Sequence, residues 1–358
     1  MIKNISLIVA LVVLLSACSN LMPSSDVGLK IIDAFGREVE FSKEPEKIII
    51  AGRQTPMLAN FFYLFQSESE KIIAIENRSQ SVEEFLTIID PDIQSKYQVE
   101  RGAGAEQIAP FNPDVVILKT SMRESIGFAI EKIGIPVVYV EFESIDQIYR
   151  DLGIIAEILG EEERGDSLIQ KYQKIISDID KTISESASSS IRSVLIVQAE
   201  NLEEQTIFSV PAGNWLQTSM IEELGAIPVW KESTQSGSWA EVNIEQILNW
   251  NPDYLFVINY QGNARDVVES IFDNQLWKTV TAVKNDKVFA FPYDFISWDQ
   301  PDSRFILGYA WLAWRLFPEQ IDSEYFSKIV ETFYLDFYGL DKNSFNEYIF
   351  PRIHGYIE

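Results

Sequence analysis

Cysteine and histidine are almost absent from this chain of 358 residues, which contains one of each. A disulfide framework therefore cannot form, and neither can a zinc finger or a binuclear metal cluster built on these side chains. Basic residues are also scarce, because 29 lysines and arginines stand against 54 aspartates and glutamates, for a formal charge of -25. Phosphate binding needs a basic surface, so this balance argues against a nucleic-acid partner.

Catalytic motifs are missing as well. The sequence contains no Gly-x-Ser-x-Gly elbow, no Walker loop and no Gly-x-Gly-x-x-Gly. The single histidine, His354, is the fifth residue from the C-terminal end and is predicted to be a surface residue. Apolar residues are abundant, since 46% of the chain is hydrophobic and 12% is aromatic. This content is enough for two domains of ordinary size. We therefore predict two domains, with no enzymatic activity, no cofactor and no metal site.

The N-terminal segment carries a targeting signal. Ile5 to Leu15 is apolar apart from Ser6, and this run is too short to span a bilayer as a helix. It ends in Leu-Ser-Ala-Cys18, which resembles the lipobox of bacterial lipoproteins, in which the cysteine is lipidated and becomes the mature N-terminus. We predict a signal peptide over 1–17, a lipidated tether over 18–28, and an extracytoplasmic protein anchored to the membrane at Cys18. A plain secretory signal is the alternative.

One stretch of 14 residues occurs twice. Residues 105–118 and 244–257 share Glu, Gln, Ile, Asn, Pro and Asp at matching positions, in a gapless register. Each copy has the pattern of a short helix, an Asn-Pro-Asp turn and an apolar strand. Chance, or two unrelated units with a common turn, would also produce this match. We favour two equivalent α/β lobes, each with a central parallel sheet that carries this unit at the same place.

The remaining patterns divide the chain into an N-terminal α/β lobe over 29–142, a helical linker over 143–190, and a C-terminal α/β lobe with a helical tail over 191–358. In the linker, a helix over about 161–186 is predicted from apolar residues spaced three and four apart: Leu168, Tyr172, Ile175, Ile179 and Ile183. Its position between the lobes favours a long rigid strut over a coiled-coil segment or an ordinary core helix.

These features together resemble the solute-binding proteins of ABC importers, in the class that binds ferric siderophores, haem and cobalamin. The resemblance covers about residues 29–300. It rests on Asp33-x-x-Gly-Arg-x-Val39, on Pro45 before a strand, on the Glu-to-Asp units of both repeat copies, and on Trp239 with Val242. The tail differs from that of the shorter siderophore binders. With Trp298-Asp-Gln-Pro-Asp-Ser-Arg304 and Phe333-Tyr-Leu-Asp-Phe-Tyr-Gly339, it is similar to molybdate- and tungstate-binding members.

The resemblance implies that a ligand binds in a cleft between the lobes, and open α/β sheets place ligands beyond the carboxyl ends of their strands. Aromatic side chains would stack on a macrocycle or catecholate, and arginines would pair with carboxylate, phosphate or oxyanion groups. The alternative for each residue is core packing or a solvated face. The candidates are Arg53, Gln54, Arg78, Arg101, Asn214, Trp215, Trp239, Tyr260, Tyr293, Trp298 and Arg304.

The resemblance also implies a permease contact. One glutamate on each lobe of the family pairs with arginines of the permease, and these positions correspond to Glu106 and Glu245. Both residues would also favour the N-terminus of a helix, where an acidic group meets the positive end of the dipole.

The predicted function is capture of an iron complex (ferric siderophore or haem) or cobalamin outside the cytoplasm, followed by delivery to an ABC permease and its ATPase. The protein is predicted to act as a monomer. A molybdate- or tungstate-binding protein is the alternative within the family, favoured by the tail and by Arg53, Arg78 and Arg304. A surface-anchored hydrolase is the alternative from another class.

Overall fold

The computed structural model describes residues 28–77, 82–185, 191–202, 205–234 and 237–355. Within these ranges the chain forms two α/β lobes with mainly parallel sheets, which confirms the predicted fold class. Cys18 and Arg78 lie outside the described residues, as does the predicted signal peptide. In the part of the chain that the structure describes, no helix is both long enough and apolar enough to cross a membrane.

The first lobe contains six strands: β1 (Lys30–Ile32), β2 (Glu38–Glu40), β3 (Ile48–Ile50), β4 (Ile72–Ile75), β5 (Val115–Lys119) and β6 (Val137–Val140). The hairpin of β1 and β2 turns at Gly36, whose φ of +73° favours glycine. The other four strands form a parallel sheet with the order β4-β3-β5-β6. Their runs of isoleucine and valine are buried almost throughout, as expected for a sheet covered on both faces.

Five helices accompany this sheet: α1 (Thr55–Phe62), α2 (Val82–Ile89), α3 (Ile93–Lys96), α4 (Ala105–Ile108) and α5 (Phe128–Lys132). The most buried of them is α1, in which all eight residues are buried. This helix lies at the core of the first lobe, and its burial brings Asn60 into contact with the tail.

The linker is a pair of packed helices, α6 (Ile145–Leu159) and α7 (Glu162–Ser184). The hydroxyl of Ser144 caps α6 by accepting the N–H of Gln147, and Gly160 ends the helix at φ +71°, as the sequence predicts. The helices approach closely, because a Cβ at Gly165 would lie only 2.4 Å from Cβ of Ala156. The 23 residues of α7 give a length of about 35 Å at 1.5 Å per residue.

The predicted stripe on α7 is largely correct. Leu168, Tyr172 and Ile179 are buried, whereas Ile175 and Ile183 are only partly buried. Ile176, which was not predicted, takes the position that Ile175 was expected to have. The difference of one residue arises because α7 packs both on α6 and on the tail, so its buried face is wider than a single stripe.

The second lobe contains β7 (Ser193–Leu202), β8 (Gln205–Val210), β9 (Ile227–Pro228), β10 (Ala240–Val242), β11 (Tyr254–Ile258) and β12 (Val288–Ala290). Strands β9, β7, β11 and β12 run parallel, while β8 and β10 add an antiparallel edge. The sequence did not predict β8 and β10. The helices are α8 (Leu216–Glu223), α9 (Ile244–Trp250), α10 (Ala264–Asp273) and α11 (Thr281–Lys284).

The two copies of the repeat occupy equivalent places, which confirms the interpretation drawn from the sequence. Each ends in a central strand, β5 between β3 and β6, and β11 between β7 and β12. Asn112 and Asn251 both adopt the left-handed conformation that ends the helix, at φ 49° and φ 43°. The aspartate then accepts a backbone N–H at the start of the neighbouring strand, Asp114 from Lys47 and Asp253 from Ser193.

The tail consists of α12 (Phe305–Leu316), α13 (Ser323–Asp336) and the short α14 (Lys342–Ser344). Ten of the twelve residues of α12 are buried, as its apolar sequence predicts. The tail also contacts the first lobe. Nη2 of Arg164 on α7 donates to the carbonyl of Phe337 in the tail at 2.7 Å and to that of Leu64 in the first lobe at 3.2 Å. The tail therefore packs against both lobes and the linker.

Replacing Asp253 with alanine should lower the free energy of unfolding by about 1–3 kcal/mol, because the N–H of Ser193 would lose its acceptor. Urea unfolding monitored by circular dichroism measures this change. The matched control is Glu245→Ala in the same copy of the repeat, an exposed position where we expect a change within about 0.5 kcal/mol. Equal effects of the two substitutions would contradict a structural role for the repeated aspartate.

Candidate ligand site between the lobes

The loops best placed to contact a ligand lie at the carboxyl ends of the central strands. In the first sheet β4 lies on one side of β3, while β5 and β6 lie on the other. The strand order therefore reverses between β3 and β5, and this position is the switch point of the sheet. Arg53 and Gln54 follow β3 directly at this point. Gly52 precedes them with φ +87°, and a Cβ there would lie 2.8 Å from Cγ of Met122 in the loop after β5.

The second lobe presents its switch point between β7 and β11, and Tyr260 follows β11. Burial and the carboxylate of Asp299 raise the pKa of the Tyr260 hydroxyl well above its ordinary value, and Glu143 of the first lobe adds to this effect. Because Glu143 follows β6, a charge at the carboxyl end of the first sheet lies close enough to Tyr260 to act on its hydroxyl.

A buried glutamate holds the first-lobe loops together. The carboxylate of Glu76, at the end of β4, accepts the N–H of Gly52 at 2.6 Å and the N–H of Gly102 at 2.8 Å. The side chain is 1% exposed. Arg53 and Arg101, next to these two glycines, are both exposed. One carboxylate therefore places two predicted arginines on the same rim.

The other side of the first-lobe rim carries charges of both signs. Lys119, at the end of β5, pairs with Glu143, and only 4% of its side chain is exposed. Asp151 of α6 is buried and accepts the N–H groups of Glu141 and Phe142, which fixes the chain after β6. Burial raises the pKa of Glu141. This part of the rim is an ion pair with an additional carboxyl group, so it attracts anions less than the side carrying Arg53 and Arg101 does.

Three predicted aromatic residues come together in the second lobe. The rings of Trp215 and Trp239 lie 5.7 Å apart at 78°, and those of Trp239 and Tyr260 lie 6.1 Å apart at 73°. Both are edge-to-face contacts, which are favourable for aromatic pairs. Trp215 and Trp239 are half-buried and Tyr260 is 36% exposed, so the faces remain accessible. We call these three residues the aromatic wall; the exposed Asn214 lies beside it.

Asp299 holds the aromatic wall in place through a hydrogen bond to Tyr260. This side chain is fully buried and accepts hydrogen bonds from the hydroxyl of Tyr260 at 2.5 Å and from Nε2 of Gln217 on α8 at 2.9 Å. A third hydrogen bond comes from the hydroxyl of Ser297. Burial raises the pKa of Asp299, although each of these donors favours the charged form. One carboxyl group therefore joins three segments around the wall.

A cavity of about 290 Å³ opens beside the aromatic wall, at the carboxyl ends of β11 and β12. Tyr260 and Tyr293, both predicted, line it. Tyr293 is half-buried and packs against the ring of His354 at 5.0 Å. The other described lining residues carry amide, hydroxyl, aromatic, small and aliphatic side chains together with one carboxylate, Asp294, and none of them is a lysine or an arginine.

Two predicted contact residues, Trp298 and Arg304, have no exposed surface in this structure. Arg304 pairs with Asp302 at 2.8 Å and Asp294 at 3.2 Å. Its own burial would lower its pKa, but these carboxylates outweigh that effect and hold the pKa well above its ordinary value. Trp298 packs against Phe326 of α13. Both side chains are part of the core and are closed to a ligand.

Glu76 and Asp299 were not predicted as site residues. Glu76 directly follows an apolar strand, and Asp299 lies within the predicted 298–304 segment, so position was the available signal. Among the described residues, no group of three or more histidine, cysteine, aspartate or glutamate side chains could hold a metal ion.

Comparison with known proteins identifies the family. A model of the periplasmic binding protein family matches residues 79–294, which is more than half of the chain. The chain belongs to this family. The matched region runs from the first lobe through the linker to β12 and so includes both copies of the repeat.

Three members show how similarity is distributed. The molybdate-binding protein MolA of Haemophilus influenzae is 23% identical over 353 residues, covering 91% of this chain and 95% of MolA. The uncharacterised ABC transporter substrate-binding lipoprotein YvrC of Bacillus subtilis is 22% identical, covering 86% of this chain and 94% of YvrC. The iron(3+)-hydroxamate-binding protein FhuD of Bacillus subtilis is 24% identical over 192 residues, covering 52% of this chain and 58% of FhuD.

The solved structure of MolA bound to molybdate has the same fold. It superimposes with a TM-score of 0.69 at 19% identity, covering 87% of this chain and 98% of that chain. Because almost the whole of MolA is matched, the likeness extends beyond the family model to the tail.

Replacing Tyr260 with phenylalanine should cost more stability at pH 7 than at pH 4. The folded pKa of Asp299 is raised above 3.8, so the stability linked to this group is complete below that value and is lost as pH rises through the folded pKa. Removing a donor to the charged form raises this pKa further. We expect a loss of roughly 1.5–3 kcal/mol at pH 7 and about 1 kcal/mol or less at pH 4, measured by urea unfolding.

The control for this measurement is Tyr254→Phe on β11, whose ring packs against Phe256. Its effect on the free energy of unfolding should not change between the two pH values. A pH-independent loss in Tyr260→Phe would contradict an ionisable partner behind the aromatic wall.

Proposed function

We propose that this protein captures an iron complex, a ferric siderophore or haem, in the cleft between its lobes and delivers it to an ABC permease. Cobalamin belongs to the same predicted class. The observation that carries the proposal is the aromatic wall of Trp215, Trp239 and Tyr260 beside a cavity lined without lysine or arginine. Flat aromatic faces suit the planar, partly apolar groups of a chelate or macrocycle. The iron-hydroxamate relative supports the same class.

The size and charge of the cavity favour a chelate over a small anion. Its volume of about 290 Å³ lies just below the roughly 300–1,000 Å³ typical of ligand pockets, and the cleft adds open space. The one charged side chain in the lining is Asp294, and Arg304, predicted to bind an oxyanion, is already paired with two carboxylates. A free oxyanion would find no lysine or arginine among the described residues that line the cavity.

Molybdate or tungstate is the second candidate, and two observations favour it. MolA covers 91% of this chain, a larger share than the iron-hydroxamate relative covers. The first-lobe rim presents Arg53 and Arg101 as exposed guanidinium groups beside the uncapped N-terminus of α1. An oxyanion would therefore bind to the first lobe and leave the aromatic wall unused.

Binding and release without chemistry agree with the relatives, whose names are those of binding proteins. The proposal places the mature protein outside the cytoplasm, held to a membrane by a lipid at Cys18. The sequence Leu-Ser-Ala-Cys18 and the lipoprotein relative YvrC support this location. The 18–28 segment would then act as a tether for the folded lobes, and the surface-anchored hydrolase has no structural feature in its support.

The two repeat glutamates are proposed to contact the permease. The other shared positions of the repeat have local roles: the glutamine side chain accepts a backbone N–H in a capping box, the isoleucine is buried, and the Asn-Pro-Asp turn ends the helix and starts the strand. Glu106 and Glu245 are exposed in the first turn of their helices, and a helix N-terminus alone would accept several residue types. Docking supplies a reason for glutamate at both positions.

Tryptophan fluorescence of lipid-free protein provides the binding test, because two tryptophans form the wall. Titration with ferric siderophores, haem, cobalamin, molybdate and tungstate should give saturable quenching by a coloured chelate, with a Kd of about 1 μM or tighter. Trp239→Leu should weaken that Kd about tenfold, whereas Trp314→Leu on α12, remote from the wall, should leave it unchanged. A response to molybdate or tungstate alone, lost in Arg53→Gln and Arg101→Gln but not in Trp239→Leu, would replace the proposal with the second candidate.

Charge reversal tests the docking residues. The double variant Glu106→Lys, Glu245→Lys should keep the ligand Kd of the wild type, because neither side chain belongs to the aromatic wall or to the described cavity lining. It should lose stimulation of the ATPase of the reconstituted permease, since each substitution turns an attraction into a repulsion. The control is Asp92→Lys, Glu269→Lys, with the same charge change at exposed positions in each lobe. Full stimulation by the first variant would rule out docking through these glutamates.

A further inference from the structure

The loop between β12 and α12, residues 291–304, performs two tasks at once. Its outer part lines the cavity with Tyr293, Ser297 and Gln300. Its inner part carries Asp302 and Arg304, which are completely buried where the lobes meet the tail. We call residues 291–304 the cavity loop. A shift of the outer part would be transmitted to the inner part, and the reverse, because both parts of the loop are held by contacts.

Asp294 connects the two parts directly. Its Oδ1 accepts the N–H groups of Phe295 and Ile296, both of which line the cavity. Its Oδ2 accepts a hydrogen bond from Nε of Arg304 at 3.2 Å and another from the hydroxyl of Tyr334 on α13. One carboxylate therefore fixes the backbone of the cavity lining and binds the buried guanidinium.

The guanidinium in turn reaches the first lobe. Its central carbon lies 4.0 Å from the ring centroid of Phe85 on α2. Nη1 of Arg304 donates to Oδ1 of Asp302 at 2.8 Å, and Nδ2 of Asn60 on α1 donates to Oδ2 of the same carboxylate at 2.6 Å. Phe85 also packs against Phe295 of the cavity lining at 5.4 Å. The cavity and the first lobe therefore share contacts through both a polar and an aromatic route.

The network also holds an unused donor and an unused acceptor. Nη2 of Arg304 and Oδ1 of Asn60 are buried atoms for which the described residues provide no hydrogen-bond partner. They belong to side chains on opposite lobes that bind the two oxygens of one carboxylate. A small displacement of the lobes would change whether this donor and acceptor can meet, and buried polar groups favour the arrangement in which they are paired.

We propose that Asp294, Arg304 and Asn60 are positioning residues that couple occupation of the cavity to the arrangement of the two lobes. The proposal rests on the proposed function, because the ligand that occupies the cavity is the one captured in the cleft. A ligand that contacts Phe295 and Ile296 would shift the backbone that Asp294 holds, and Asp294 binds Arg304. Arg304 in turn contacts the first lobe through Asp302 and Phe85. Of the three positioning residues, only Asp294 lines the cavity.

Interlobe distances test the coupling without a ligand. Lys132→Cys on α5 and Glu269→Cys on α10 place one spin label on each lobe, both at exposed positions. The lipid-free protein that begins after Cys18 has no other cysteine. Pulsed electron resonance should give one narrow distance distribution for the wild type and a wider one for Asn60→Leu, which removes the first-lobe hydrogen bond. Phe85→Leu provides the same test through the aromatic route if Asn60→Leu does not fold.

The matched control is Tyr309→Phe, which removes a partly buried hydrogen bond to Asp180 that does not belong to this network. It should keep the narrow distribution. Ligand binding adds the second readout: Kd should weaken about fivefold or more in Asn60→Leu, because a smaller fraction of molecules holds the competent arrangement. Saturating ligand should narrow the widened distribution again.

The outcomes separate the two proposals. If Asn60→Leu and Phe85→Leu give the same distances and Kd as Tyr309→Phe, the coupling is overturned although the ligand still binds. If no compound of the panel binds the wild type, the proposed function fails, and the ligand-free distances alone decide the coupling: a wider distribution supports it and an unchanged one refutes it.

Discussion

The burial of one guanidinium group constrains much of this structure. Arg304 has no exposed surface, and a charge in that position must be neutralised by partners in fixed geometry, since an unpaired buried charge is strongly destabilising. Asp294 and Asp302 provide that neutralisation, and the ring of Phe85 covers the guanidinium from the first lobe. The cavity loop, the tail and the first lobe therefore have to assemble around Arg304 together.

Local patterns were enough to predict the framework of the fold. The repeat predicts two equivalent strands because its roles are local: a left-handed asparagine ends the helix, proline prevents its continuation, and aspartate accepts an N–H from the next strand. The cap at Ser144 and the end of α6 at Gly160 are short-range features of the same kind. The strands β8 and β10 escaped prediction because their pairing partners, not their own patterns, define them.

In the candidate site, too, the features set by local sequence were predicted and those set by long-range contacts were not. Arg53, Gln54, Tyr260 and Tyr293 could be placed at strand ends because topology dictates where those ends lie. The burial of Trp298 and Arg304 was not predicted, since nothing in the sequence distinguishes an arginine that contacts a ligand from one that pairs with aspartates two and ten residues away. Glu76 and Asp299 went unnoticed for a related reason: their donors come from segments up to 82 residues apart in sequence. Partners distant in sequence determine whether a side chain is buried, and a buried side chain is not available to a ligand.

The cleft is chemically asymmetric, and this asymmetry restricts what it can bind well. The first-lobe rim offers Arg53 and Arg101, while the second lobe offers aromatic faces and a cavity without lysine or arginine. A small oxyanion satisfies the arginines and leaves about 290 Å³ of cavity unfilled. A purely apolar molecule fills the cavity and leaves the arginines without partners. A chelate with acidic groups at one end and a flat, weakly polar surface at the other engages both lobes. A ligand that bridges the lobes in this way would act on the Asp294–Arg304–Asp302 network, which contacts both of them.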